Sequence, residues 1–229
     1  MMKVLLTVIS TGVLLAITNI EPPTRQATHN IPGISAKNGK LLVNLITVGE
    51  SGKRRYNAYN RGSQRCSGSQ KASIQLTSMS IGQIMAYQRL PPCHKSRLYA
   101  TGFYQIINTT MKYCVSSLKI PLATKYTPQV QDKIFTQCLA GIKRPPIERY
   151  IKQGVGLNRA AHAVAEEWAA FKSPLLGRGV YDNKGNNKAT IPASKVLDAL
   201  KNARSIYLIQ VGNGIDEDKA YADALGVMK

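Results

Sequence analysis

The chain has 229 residues, with 31 Lys and Arg against 12 Asp and Glu, giving a formal net charge of +19. That length accommodates one domain of ordinary size plus a terminal segment, with a real buried core. A charge this large calls for anionic partners, but the cations are scattered rather than striped along one helix. No finger, basic-zipper or RNA-recognition signature is present, which argues against nucleic acid.

Residues 1–20 read as a signal peptide or weak signal anchor. Lys3 supplies a minimal positive start, and Val4 to Ile20 carries no charge. Thr7, Ser10, Thr11, Gly12 and Thr18 make this stretch too soft for a firm spanning helix. A periplasmic or secreted location follows as an expectation. Pro22-Pro23 and Pro32-Gly33 mark residues 21–35 as a linker. Residues 36–205 are expected to form the functional domain and 206–229 a C-terminal extension.

Between Asn38 and Glu50 the apolar residues Leu41, Leu42, Leu45 and Ile46 follow helical spacing, with Ser51-Gly52 as a stop. Glu50 then falls at a helix C-terminus, where the macrodipole disfavours an ionised carboxylate. Partial burial pushes the same way. Lys53 to Thr77 is rich in Gly, Ser and Tyr without an apolar period, consistent with loop or short irregular strands. Ser80 is placed to cap a helix over Ile81 to Tyr87, which Pro91-Pro92 terminates. Another helix starts after Gln105 and passes through Met111 and Val115. Thr127-Pro128 opens the next, with Val130, Ile134, Phe135 and Leu139 on one face and a break at Arg144-Pro145-Pro146. An Ala-rich helix spans Leu157 to Phe171. Lys172 to Lys188 is a Gly/Asn-rich connection, and a last helix covers about Ala193 to Ala203. The sum is an α+β chain, mostly helical with a small irregular β-region.

In an exported chain the four cysteines read as disulfides. Of three possible pairings we expect Cys66–Cys93, closing a basic loop, and Cys114–Cys138, joining two helices. Each loop contributes about 3.5 kcal/mol by chain entropy. No CxxC spacing occurs and His29, His94 and His162 form no cluster, so neither zinc nor another metal is expected.

Glu50 is the only carboxylate between Pro22 and Gln131, a stretch holding fifteen Lys and Arg. Glycosidic cleavage needs a proton delivered to the leaving oxygen by a carboxylic acid of raised pKa. Glycosidases usually add a second carboxylate, but here Asp132, Glu166 and Glu167 come near only through folding. Asp132 lies in the first turn of its helix, where a structural role is expected. One protein acid with a substrate-supplied nucleophile fits this distribution. Tyr56, Asn57, Tyr59 and Asn60 suit sugar contacts and equally suit turns. Trp168 lies on an apolar helical face and reads as core.

Gly49-Glu50-Ser51 after a helix resembles the Glu-Ser motif of goose-type lysozymes and soluble lytic transglycosylases. Ala100-Thr101-Gly102-Phe103-Tyr104-Gln105-Ile106-Ile107 resembles the Gly-Arg-Tyr-Gln segment of lambda-type phage endolysins. Tyr126 to Asp132 and Glu167-Trp168-Ala169-Ala170-Phe171 are similar to later blocks of those enzymes, in the same order. The resemblance implies a lysozyme-like fold acting on the β-1,4 bond between N-acetylmuramic acid and N-acetylglucosamine, without cofactor. It gives Glu50 the role of acid and then base, while the muramyl C6 hydroxyl attacks to leave a 1,6-anhydro end. Ser51, Tyr56, Asn60, Gly102, Tyr104 and Gln105 become the substrate-binding set. Phe103 stands where that family carries a basic residue. Position 59 is Tyr, so the Glu-to-Asp spacing of T4-type lysozymes is absent.

The expected partners are peptidoglycan glycan strands, with anionic wall polymers or lipopolysaccharide drawn by the diffuse positive field, and the chain is expected to act as a monomer. Three alternatives stand beside a lytic transglycosylase: a hydrolytic lysozyme with the same site, a non-catalytic wall-binding protein, and a cationic membrane-perturbing protein.

Overall fold

The computed structural model describes residues 41–62, 74–184 and 187–227. The signal and linker expected over residues 1–35, and Cys66 with its pairing, lie outside the described residues. Within them the architecture is mostly helical with one small antiparallel sheet, an α+β arrangement.

The first helix, α1 (Leu42–Ile46), buries Leu42, Val43, Leu45 and Ile46, the face set by the spacing of its apolar residues. It continues into a wider π-wound turn, Thr47–Ser51, and a 3-10 stretch, Gly52–Asn57. Gly52 turns the chain at φ 55° and ψ −144°, a region where side chains are strained, so the helix stops at the expected place. Helix α2 (Ile81–Gln88) begins with a reciprocal cap. Ser80 Oγ accepts the Gln83 N–H at 3.2 Å and Gln83 Oε1 accepts the Ser80 N–H at 2.8 Å.

Residues 100–107 fold into a hairpin. Strand β1 (Ala100–Thr101) pairs antiparallel with β2 (Ile106–Ile107), Ala100 facing Ile107 and Thr101 facing Ile106. Gly102 to Gln105 form the loop. Residues 58–60 run alongside β1: Asn60 donates to the Ala100 carbonyl at 3.0 Å and Gly102 to the Ala58 carbonyl at 2.7 Å. This is the small β-region.

Helix α3 (Asn108–Ser117) is stapled by the Cys114–Cys138 disulfide, Cα–Cα 5.5 Å, to the long helical rod at the centre of the core. That rod starts as α4 (Pro128–Lys133), capped by Thr127 with Pro128 in its first turn, and continues π-wound through Ile134–Lys143. Its buried face is Ile134, Phe135, Cys138, Leu139 and Ala140. The expected break at Arg144 is also a start, because Pro145 opens α5 (Pro145–Gln153). Helix α6 (Leu157–Glu167) is shorter than expected. Trp168 is already extended, and Phe171 bridges to Ile191.

The C-terminal residues require a correction. The last helix does not end near Ala203: α7 runs over Ala193–Gly212, its buried row Val196, Ala199, Leu200, Ala203 continuing to Tyr207. Helix α8 (Glu217–Leu225) follows, with Ala220, Ala224 and Leu225 fully buried. The Tyr221 hydroxyl donates to the Ala140 carbonyl at 2.9 Å. Residues 206–225 are thus part of the body rather than an extension. The acids near the C-terminus serve as its start: Asp216 Oδ1 accepts the N–H groups of Asp218 and Lys219, and the first-turn acids Glu217 and Asp218 face the positive helix end.

Candidate functional site

Glu50 sits in the last turn of the π-wound segment, partly buried. Its position depends on the residue before it. A Cβ on Gly49 would lie 2.7 Å from the Ala170 Cβ and 2.9 Å from the Ile191 Cδ1, so only glycine lets the helix end press against that segment. The approach brings Glu50 Oε1 within 3.2 Å of the Ala170 N–H, which donates to it.

Burial raises the Glu50 pKa from its ordinary 4.5 to about 7, and the Ala170 N–H only partly offsets this. Neither influence involves a cation, and among the described residues no basic side chain ion-pairs with Glu50. The helix-end position was expected to act in the same direction; burial is the dominant cause.

The other acids are differently placed. Glu167, nearly buried, is gripped by Lys143 Nζ at 2.6 Å and Arg144 Nε at 2.9 Å, and Glu166 by Arg144 Nη1 at 2.8 Å. Asp132 is buried and accepts from the Tyr104 hydroxyl at 2.6 Å and the Tyr56 hydroxyl at 3.0 Å. Burial raises its pKa, and the two hydroxyls and Arg55 oppose the rise. All three acids are held in structural networks, whereas Glu50 has no ion-pair partner among the described residues.

A circuit of hydrogen bonds supports the site. Trp168 Nε1, two residues before Ala170, donates to the Tyr104 carbonyl at 3.0 Å. Phe103 N–H donates to Gln131 Oε1 at 2.8 Å, and Gln131 Nε2 donates to the Tyr56 and Tyr126 carbonyls, each at 3.0 Å. The circuit therefore returns to the segment that follows Glu50. Gln131 is fully buried and fully used. Behind the circuit, Tyr56, Phe103, Tyr104, Phe135, Trp168 and Phe171 pack ring to ring, with Tyr104 and Phe135 stacked at 4.2 Å.

The expected substrate-binding residues divide into two groups. Tyr104 is 1% exposed, so it supports the hairpin loop from below and offers no sugar-stacking face. Gly102 is buried at φ 77°, where a Cβ would collide with Gln131 and the Tyr126 hydroxyl; its role is to let the loop close. Ser51 is 7% exposed, and its hydroxyl has no partner among the described residues. Tyr56 is half-buried with its hydroxyl committed to Asp132. Asn60 and Gln105 do reach the surface together: Asn60 Nδ2 donates to Gln105 Oε1 at 3.1 Å, and Gln105 is held at φ 50° by Nε2 donating to the Gly102 carbonyl at 2.9 Å. Beside them Arg54 and Arg61 lie 5.4 and 5.6 Å from the Tyr59 ring, and Arg55 lies 5.5 Å from that of Phe103.

Sequence reasoning missed Gly49, Gln131 and the Ala170 amide as positioning groups. The blocks Gly49-Glu50-Ser51, Tyr126–Asp132 and Glu167–Phe171 contain all three, so the signal lay in the blocks rather than in any single residue. Among the described residues no three His, Cys, Asp or Glu stand together as a metal site. Comparison with protein-family models, curated proteins and solved structures returns no match for this chain.

Proposed function

We propose that this chain is a peptidoglycan-cleaving muramidase on a lysozyme-like fold, acting on the bond between N-acetylmuramic acid and N-acetylglucosamine as a lytic transglycosylase. One observation carries the reading. The single acid at the helix end is buried enough to hold its proton up to about pH 7, has no paired cation among the described residues, and is braced against the 168–170 segment that holds the hairpin loop. In this mechanism Glu50 donates its proton to the departing N-acetylglucosamine oxygen as the C1–O bond breaks. The muramyl C6 oxygen then bonds to C1, and the Glu50 carboxylate takes the C6 hydroxyl proton. The acid is restored, an anhydro end remains, and water is not consumed. Asn60 and Gln105 supply amide groups to the sugar N-acetyl substituents. Tyr104 and Gly102 act through the loop that they shape. Residues 1–20 support a periplasmic or secreted setting, where the wall is met.

Clearing of purified sacculi by wild type and Glu50→Gln, with mass spectrometry of the released muropeptides, tests this. Loss of clearing in the variant and anhydro-muramyl ends from wild type are expected. Reducing ends carrying solvent oxygen assign the same site to hydrolysis. Binding to sacculi without product release from wild type assigns a wall-binding role. Full clearing by Glu50→Gln refutes the reading.

A further inference from the structure

The connection after the Glu50-binding segment, expected only as a Gly/Asn-rich link, is a built loop. Lys172 and Gly179 pair across its base, Ser173 N–H donates to the Arg178 carbonyl at 2.9 Å, and Gly177 N–H to the Ser173 carbonyl at 3.0 Å. Ser173 is fully buried. Its hydroxyl accepts the N–H groups of Leu175 and Leu176 at 3.1 and 3.3 Å, and His162 Nδ1 lies 2.8 Å from the same oxygen. This arrangement holds two adjacent leucines outward: Leu175 is 53% exposed and Leu176 47%. Isolated exposed leucines are ordinary; a neighbouring pair fixed at the tip of a braced turn is not.

The charge carried by this connection itself is one-sided. Between Lys172 and Lys188 stand Lys172, Arg178, Lys184 and Lys188 against a single carboxylate, Asp182. Asp182 is taken up by the backbone, accepting from Gly179 and Ala189, both at 2.7 Å. An apolar tip above a cationic base matches one kind of surface, in which hydrocarbon lies beneath anionic headgroups. Among the described residues no helix is long and apolar enough to cross a membrane.

We propose that the 172–179 loop is a membrane-docking element that inserts Leu175 and Leu176 into the headgroup region of an anionic phospholipid bilayer while Lys172 and Arg178 face its phosphates. The element lies two residues beyond Ala170, so docking holds the Glu50 face close to the bilayer.

Cosedimentation with vesicles of phosphatidylglycerol and phosphatidylcholine, against phosphatidylcholine alone, tests the proposal. Wild type is expected to bind only the anionic vesicles. Leu175→Ser with Leu176→Ser is expected to weaken that binding about 30-fold, from the apolar area of two half-exposed leucines, with an unchanged circular dichroism spectrum. Leu175→Trp reports insertion directly, and its emission is expected to shift to the blue on anionic vesicles. Glu50→Gln is expected to bind as wild type does, which keeps this result separate from that of the muramidase reading. Equal binding by the serine variant, or an unmoved Leu175→Trp emission, overturns the proposal in favour of diffuse charge attraction. A serine variant that loses self-association instead of vesicle binding overturns it in favour of a protein contact.

Discussion

Replacing Glu50 with Gln should stabilise the protein at alkaline pH while removing activity. Burial lifts the carboxyl from its ordinary 4.5 to about 7 in the folded chain. At about 1.36 kcal/mol for each pH unit between those values, the ionised form is disfavoured in the fold by about 3 kcal/mol. The folded-state value is the higher one, so the folded chain keeps the proton over a range where the unfolded chain has lost it. The associated stability is complete below pH 4.5, declines as pH rises, and is lost above about 7. Gln does not titrate, and its amide oxygen can accept the Ala170 N–H in place of Oε1. Wild type and variant should therefore differ little near pH 4.5. By about pH 8 the variant should be the more stable by roughly 2 to 3 kcal/mol, the lower figure allowing for solvent screening of a partly exposed group. Urea unfolding followed by far-ultraviolet circular dichroism across the pH series measures the difference. An offset that stays constant with pH would refute burial as the cause. A variant less stable at pH 8 would mean that the ionised carboxylate is favoured in the fold.

Three further outcomes follow from the site's supports. Gly49→Ala places a Cβ 2.7 Å from the Ala170 Cβ, and should destabilise by about 1–3 kcal/mol; sacculus clearing should fall even where circular dichroism shows the variant folded. Asp132→Leu leaves the buried Tyr104 hydroxyl without its acceptor and should lower stability by about 1–3 kcal/mol, whereas Tyr56→Phe, which keeps the carboxylate, should cost about 1 kcal/mol; thermal melts of the two variants measure the ranking. Cys114→Ala with Cys138→Ala opens a loop with a sequence separation of 24 and should lose about 3.5 kcal/mol in urea unfolding.

The parts of this molecule that are local in sequence were legible, and those decided at long range were not. Ser80, Thr127 and the apolar spacing of Leu42, Leu45 and Ile46 mark helices because caps and faces are written within a few residues. The same spacing put Glu50 at a helix end. What raises its pKa is burial at the close approach of Gly49 to Ala170, and the Ala170 N–H that partly offsets the rise is a backbone group that no side chain announces. Tyr104 entered the expected substrate-binding set through the resemblance of its block. Packing against Phe135 and the bond to Asp132 place it in the core instead. Residues 206–229 were expected as an extension, although Asp216, Glu217 and Asp218 form an N-terminal helix signal. The apolar row that follows, Ala220, Tyr221, Ala224 and Leu225, could have decided between the two.

Ala170 joins two parts of the molecule through one residue. Its N–H donates to Glu50, while its carbonyl accepts from Thr190 and Ile191 at 3.0 and 2.9 Å. The peptide groups flanking that residue are polarised from both ends, and the pull at one end changes when the carboxyl loses its hydrogen. The amide resonance of Ala170 should consequently move downfield with pH along the titration curve of Glu50. A single backbone nucleus thus serves as an internal pH electrode for the acid, readable in the resting protein before any sugar is bound.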